Sequence, residues 1–192
     1  MNKERLTAFS DGVIAIIITI MVLELKVPLS ATFTALSGLL PVFLSYVLSF
    51  VFVAIYWNNH HHLLHACRRV NGTVLWANMH LLFWLSLIPF TAGWMGENNF
   101  AELPVALYGV SMLMPALAYY LLQNQIVRAN GSDHRLAEAL GRDIKGKISF
   151  VICVAGIVLA FVNHWAGFAA YVLLALLWLI PDRRIERAIA EL

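Results

Sequence analysis

At 192 residues, 61% of them hydrophobic and 12% charged, with a formal net charge of +2, the chain is too apolar for a soluble domain closed around one core, and its mean hydropathy of +0.77 agrees. An integral membrane protein is expected, and an enzyme is not. Lys3 and Arg5 precede an apolar run as they would in a secretory signal, but Asp11 interrupts the run and no small-residue cleavage site follows, so the segment is expected to remain as a helix.

Six apolar windows approach the length of about 20 residues that a hydrocarbon layer of about 30 Å requires. They cover roughly 6–27, 36–66, 73–95, 103–127, 147–163 and 166–181, so residues 1–192 read as a single all-α repeat of six transmembrane helices. The first opens with Arg5-Leu-Thr-Ala-Phe9-Ser10-Asp11-Gly12. An ionisable group in such a run is costly in hydrocarbon and marks function. At about 100° per residue, Gly12, Ile16, Thr19 and Leu23 fall within roughly 60° of one another and form a mostly apolar stripe with one hydroxyl, while Asp11 lies about 100° to its side, facing a neighbouring helix.

The second window is longer than a membrane needs, so it should tilt or project beyond the bilayer; Pro41 near its start fits a first turn or a kink. It ends in Tyr56-Trp57-Asn58-Asn59-His60-His61-His62, with His65 beyond, and the third begins with Trp76, Asn78 and His80. Because successive spans alternate in direction, the first three helices bring these polar groups to one depth. His61 and His65, at i and i+4, with His80 near in depth, leave a metal or haem site as a competing reading, although no Cys or Glu completes a ligand set. His62 and His65 can also simply reach headgroup water.

Asn130-Gly131 reads as a helix stop and Ser132-Asp133 as the cap of a short helix through Leu140. The basic tail after Pro181 should lie on an anionic leaflet. Trp94, Trp165, Tyr171 and Trp178 are candidate interfacial anchors, and Cys67 and Cys153, without metal or disulfide spacing, read as small buried residues. Of 13 Lys and Arg residues, all but Lys26 fall on one side of this topology, which places both termini in the cytoplasm. Lys26 returns close to the stripe at its outer end, and Glu24 or headgroups are the partners the sequence offers it.

Arg5-x-x-x-Phe9-Ser10-Asp11 followed by Gly12-Val-Ile-Ala-Ile16 resembles the signature of the transmembrane protein 175 family, which contains potassium-permeable channels of endosomes and lysosomes and their bacterial homologues. Ile14 stands where phenylalanine is usual, and one Phe-Ser-Asp motif occurs where animal members carry two. The resemblance implies a homotetramer in the lipid bilayer of the cell (inner) membrane. Each subunit would line a potassium path with its first helix. The family's apolar constriction, about five residues after the signature aspartate, falls on Ile16; its threonine and next leucine fall on Thr19 and Leu23, with Gly12 ahead of them.

No Thr-Val-Gly-Tyr-Gly filter is present, so selection would have to come from a hydrophobic neck and would be moderate. Arg5, Phe9, Ser10, Asp11, Trp57, Asn58, His60 and Asn78 are the expected polar network that sets the lean of the first helix. No cofactor beyond permeant K+, no metal and no nucleic-acid partner is expected. The alternative is a proton-coupled secondary transporter using Asp11 and the histidines as a relay, although internal repeats and broken midplane helices, usual in transporters, are not evident.

Overall fold

The structure, a computed structural model, describes residues 3–130 and 144–179. The short helix expected through Leu140 and the tail after Pro181 fall outside the described residues. Among the described residues the regular structure is all helical: α1 (Lys3–Leu23), α2 (Phe33–Ser37), α3 (Leu40–Ala66), α4 (Gly72–Ser86), α5 (Ile88–Glu97), α6 (Glu102–Asn130), α7 (Ile144–Ala160) and α8 (His164–Leu179).

The helix ends follow from local chemistry. Thr32 caps α2 by accepting from the Ala35 N–H at 3.2 Å, and Asn71 caps α4 by accepting from the Val74 N–H at 2.9 Å. Pro41 and Pro89 sit in the first turns of α3 and α5, where a missing N–H costs nothing. The second expected window therefore begins late, at Leu40, with α2 as a separate turn before it, and the third is divided at Leu87. Beyond the α5 cap at Asn98, the Asn99 N–H bonds to the Gly96 carbonyl at 3.2 Å and the Phe100 N–H to the Met95 carbonyl at 3.0 Å, a Schellman arrangement. Its cost is that Asn99 and Phe100 take positive φ, 49° and 58°, and it is offset by Phe100, buried between Trp165 and Phe168 with ring centroids at 5.3 and 4.6 Å.

Among the described residues, four helical stretches are long and apolar enough to cross a membrane: Lys3–Leu23, Leu40–Ala66, Gly72–Glu97 and Glu102–Ala129. Of the others, α2 is a single short turn, whereas α7 and α8 have 17 and 16 residues and coincide with the last two apolar windows. Helix α1 packs on α3, α4 and α5, while α6 joins α4 and α5 to α7, and α8 closes on α7, α6 and α3. Glycines permit the tightest crossings: a Cβ at Gly109 or Gly156 would overlap the Tyr171 ring, which is fully buried and so is not an interfacial anchor. Cys67 and Cys153 are buried and unbridged.

Candidate functional site

Helix α1 has two opposite faces. Leu6, Ser10, Ile14, Ile17 and Met21 are buried against the chain's own helices, whereas Gly12, Ile16, Thr19 and Leu23 are exposed, Ile16 by 60% and Leu23 by 73%. Each exposed member stands two residues after a buried one, Gly12 after Ser10, Ile16 after Ile14, Thr19 after Ile17 and Leu23 after Met21, which is about 200° round the helix. The period that buries one row thus turns the other away from the bundle. A Cβ at Gly12 would meet nothing within 4 Å, and the Thr19 hydroxyl donates to the Ala15 carbonyl at 2.9 Å, leaving its oxygen available as an acceptor. Phe9, 54% exposed, lies on this outward side as well and not within a polar cluster.

Asp11 sits on the flank between the two faces and accepts from the Trp57 indole at 3.0 Å. A second chain of bonds lies deeper. The Asn78 amide donates from Nδ2 to Ser10 Oγ at 2.9 Å, and Ser10 in turn donates to the Leu6 carbonyl at 2.9 Å. With the amide so oriented, Asn78 Oδ1 is the acceptor that meets His60 Nε2 at 2.7 Å, so that ring nitrogen carries the hydrogen. Ser10, His60 and Asn78 are all fully buried, and the chain runs from α1 through α4 to α3. At the same end the Lys3 ammonium donates to the His65 carbonyl at 2.8 Å.

The expected polar set is therefore divided. Trp57 serves Asp11, while His60 and Asn78 serve Ser10. Arg5 and Asn58 lie on exposed surface and are not partners of Asp11: Arg5 is six positions earlier on the same helix and about 120° round from it, and Asn58 points about 100° away from Trp57. His80 accepts from the Trp84 indole at 2.9 Å, and His61 and His65 stack on the outside of α3 with centroids 6.5 Å apart. Among the described residues no three His, Cys, Asp or Glu side chains come together as a metal-ligand group.

At the other end of α1 the Lys26 ammonium donates to Glu97 Oε1 at 2.6 Å. Sequence reasoning missed this pair; the available signal was that Lys26 follows the first apolar window and Glu97 the third, at the same expected depth. The Glu97 hydrogen bond and then its charge raise the Lys26 pKa above the ordinary lysine value, with a smaller contribution in the same direction from Glu24.

The family model described as endosomal/lysosomal potassium channel TMEM175 matches residues 5–89, which hold α1 but for its first two residues, α2, α3, α4 and both hydrogen-bonded groups. A protein of Chryseobacterium sp. (strain P1-3) named as a potassium channel is 52% identical over 191 residues, covering 100% of both chains. A second of that name, from Streptomyces collinus, is 31% identical and covers 92% of this chain and 91% of its own. Among solved structures, that of a lysosomal potassium-selective channel TMEM175 homolog from Chamaesiphon minutus superposes with a TM-score of 0.82 at 24% identity, over 93% of this chain and 96% of that one, a likeness of fold. Full-length identity to the Chryseobacterium protein, the family match through the signature helix and the shared multi-pass fold converge: this chain belongs to the TMEM175 family.

Proposed function

We propose that the chain is one subunit of a potassium-permeable channel, four copies surrounding an axis in the cell membrane, each with six crossing helices and cytoplasmic termini. The observation that carries this reading is the exposed stripe of α1. Ile16 and Leu23 turn 60% and 73% of their surface away from their own bundle, and a row so regular beside a buried one suits a shared axis better than scattered lipid contact. The relatives named as potassium channels supply the permeant ion.

In this arrangement Gly12 leaves width at the inner mouth, Ile16 forms the neck, Thr19 offers a ring of hydroxyl oxygens and Leu23 a second apolar ring. An apolar neck near the width of an ion expels water, so a cation crosses partly dehydrated and the weakly hydrated K+ passes at smaller cost than Na+. The path needs no cofactor and performs no covalent chemistry. The Ser10–Asn78–His60 chain and the Asp11–Trp57 bond fix the lean of α1 and hence the width of the neck. Since interhelical bonds in membranes are worth on the order of 1 kcal/mol each, they position the helix more than they stabilise the fold.

Purified protein in planar bilayers under a KCl gradient tests the proposal. Linear, non-saturating current reversing near the potassium equilibrium potential is expected. Saturable uptake coupled to a pH gradient would instead favour the proton-coupled transporter.

A further inference from the structure

Lys26 presents a difficulty for a cation path, because it lies three residues beyond α1 at the end where the exposed stripe terminates. Four such ammonium groups around an axis would repel entering K+. The structure supplies the counter-charge through a chain of placements that begins in the α5–α6 turn. The Schellman bonds at Asn99 and Phe100 terminate α5 at Glu97, and the buried Phe100 ring holds that turn against α8. Gly96 presses α5 onto α3 so closely that a Cβ there would lie 2.7 Å from Val42 Cα. Glu97 is thus carried on a fixed support to the Lys26 ammonium at 2.6 Å.

Two features argue that this placement is not for stability. A carboxylate at the last residue of a helix faces the negative end of the helix dipole. The pair is also exposed, with 74% and 48% of the two side chains accessible, and exposed pairs contribute little to folding. A second carboxylate, Glu24, lies 3.7 Å from the Cβ position of Gly93 on the same helix α5, and its charge also acts on Lys26.

Resting on the pore reading above, we propose that Glu97 is a charge-positioning residue of the outer mouth: it holds and neutralises Lys26, so that Glu24 sets the sign of the field that entering cations meet. The pair is then an entry device for ions arriving from outside and has little effect on ions leaving. The magnitude follows from electrostatics. Four unit charges about 10 Å from a path in water, screened over about one Debye length at 0.1 M salt, lower the local cation concentration about two- to threefold.

The test uses excised patches from cells expressing the full chain, where all channels share one orientation. In 0.1 M symmetrical KCl, Glu97→Gln is expected to reduce inward relative to outward current about two- to threefold, with the ratio restored in 1 M KCl and in the Lys26→Gln/Glu97→Gln double variant. Lys26→Gln alone is expected to leave inward current equal or larger, which keeps the proposal testable if Glu97→Gln does not assemble. An unchanged ratio in Glu97→Gln, an equal loss in both directions that the double variant does not relieve, or a fall in inward current in Lys26→Gln would overturn it. Ile16→Asn recorded in the same patches separates the two ideas: unaltered selectivity there defeats the pore reading itself, whereas altered selectivity with an unchanged ratio in Glu97→Gln defeats only the role of Glu97.

Discussion

The Trp57 indole on α3 donates to the Asp11 carboxylate on α1 at 3.0 Å, across 46 residues of sequence. A bond to a carboxylate is stronger than one between neutral partners. Asn at position 11 keeps an acceptor but loses the charge, whereas Phe at position 57 removes the donor. Asp11→Asn and Trp57→Phe are therefore expected to reduce open probability or tetramer yield in the same direction, with the double variant no worse than the more severe single one. The potassium-to-sodium permeability ratio should stay near that of the parent, because Asp11 lies on the flank of α1 and not on its exposed stripe. Single-channel recording with size-exclusion analysis checks both points; normal gating and normal tetramers in the two variants would remove the bond from the mechanism.

The deeper chain has a different liability. Asn78→Leu would strand the Nε2–H of the fully buried His60 ring and leave the buried Ser10 hydroxyl with only its bond to the Leu6 carbonyl. Leaving a buried polar group without its partner costs about 1–3 kcal/mol. A lower midpoint of thermal unfolding in detergent is expected, larger than for Trp57→Phe, whose partner Asp11 is only half-buried.

These two groups show what the sequence could and could not convey. Six apolar windows and their alternating direction were enough to bring Ser10, Asp11, Trp57, His60 and Asn78 to one depth. Which of two adjacent residues turns to α3 and which to α4 is a matter of about 100° of helix rotation, set by packing of Leu6, Ile14 and Ile17 and not by local pattern. The division of the third window at Leu87 was hidden because apolar character continues across it, although Pro89 marked the place. The Lys26–Glu97 pair joins residues 71 apart in sequence, and the burial of Tyr171 depends on glycines from two other helices, so neither carries a periodic signal.

Two glycines should respond oppositely to alanine. A Cβ at Gly96 would lie 2.6 Å from Ser45 Oγ and 2.7 Å from Val42 Cα, and the latter is backbone that cannot swing aside. Gly96→Ala is expected to cost about 1–3 kcal/mol of overpacking, read as reduced thermal stability. Gly12→Ala has open space around it and should not lower the unfolding midpoint while altering conductance, since in the proposed four-fold arrangement four added methyl groups would narrow the mouth.

The Lys26–Glu97 pair carries a pH signature of definite sign. A lysine whose folded pKa is raised contributes stability that is fully present below its unfolded value, about 10.4, and lost as pH rises through the higher folded value. Any stability difference between the parent chain and Lys26→Gln should therefore be constant through the neutral range and vanish only in strongly alkaline buffer. A difference that disappears between pH 6 and pH 8, in buffers chosen to span roughly the ordinary histidine range, would assign it to another group.

Ile16 carries the sharpest expectation. It is 60% exposed on the α1 stripe, whereas Ile17 beside it is 2% exposed within the bundle, so the same substitution at adjacent positions interrogates two environments. Ile16→Asn supplies hydrogen-bonding groups at little change of size, keeps the neck wet and should give larger current with weaker discrimination between potassium and sodium. Leu23→Asn, at the far end of the stripe from the proposed neck, should change both in the same direction but less. Ile17→Asn places a polar amide among apolar neighbours, costs about 1–3 kcal/mol for unmet hydrogen bonds together with lost packing, and should lower expression and thermal stability without a specific effect on selectivity. Bilayer recordings at biionic K+ and Na+, paired with unfolding curves for the three variants, distinguish these outcomes; unchanged conductance and selectivity in Ile16→Asn would place the ion path along some other helix.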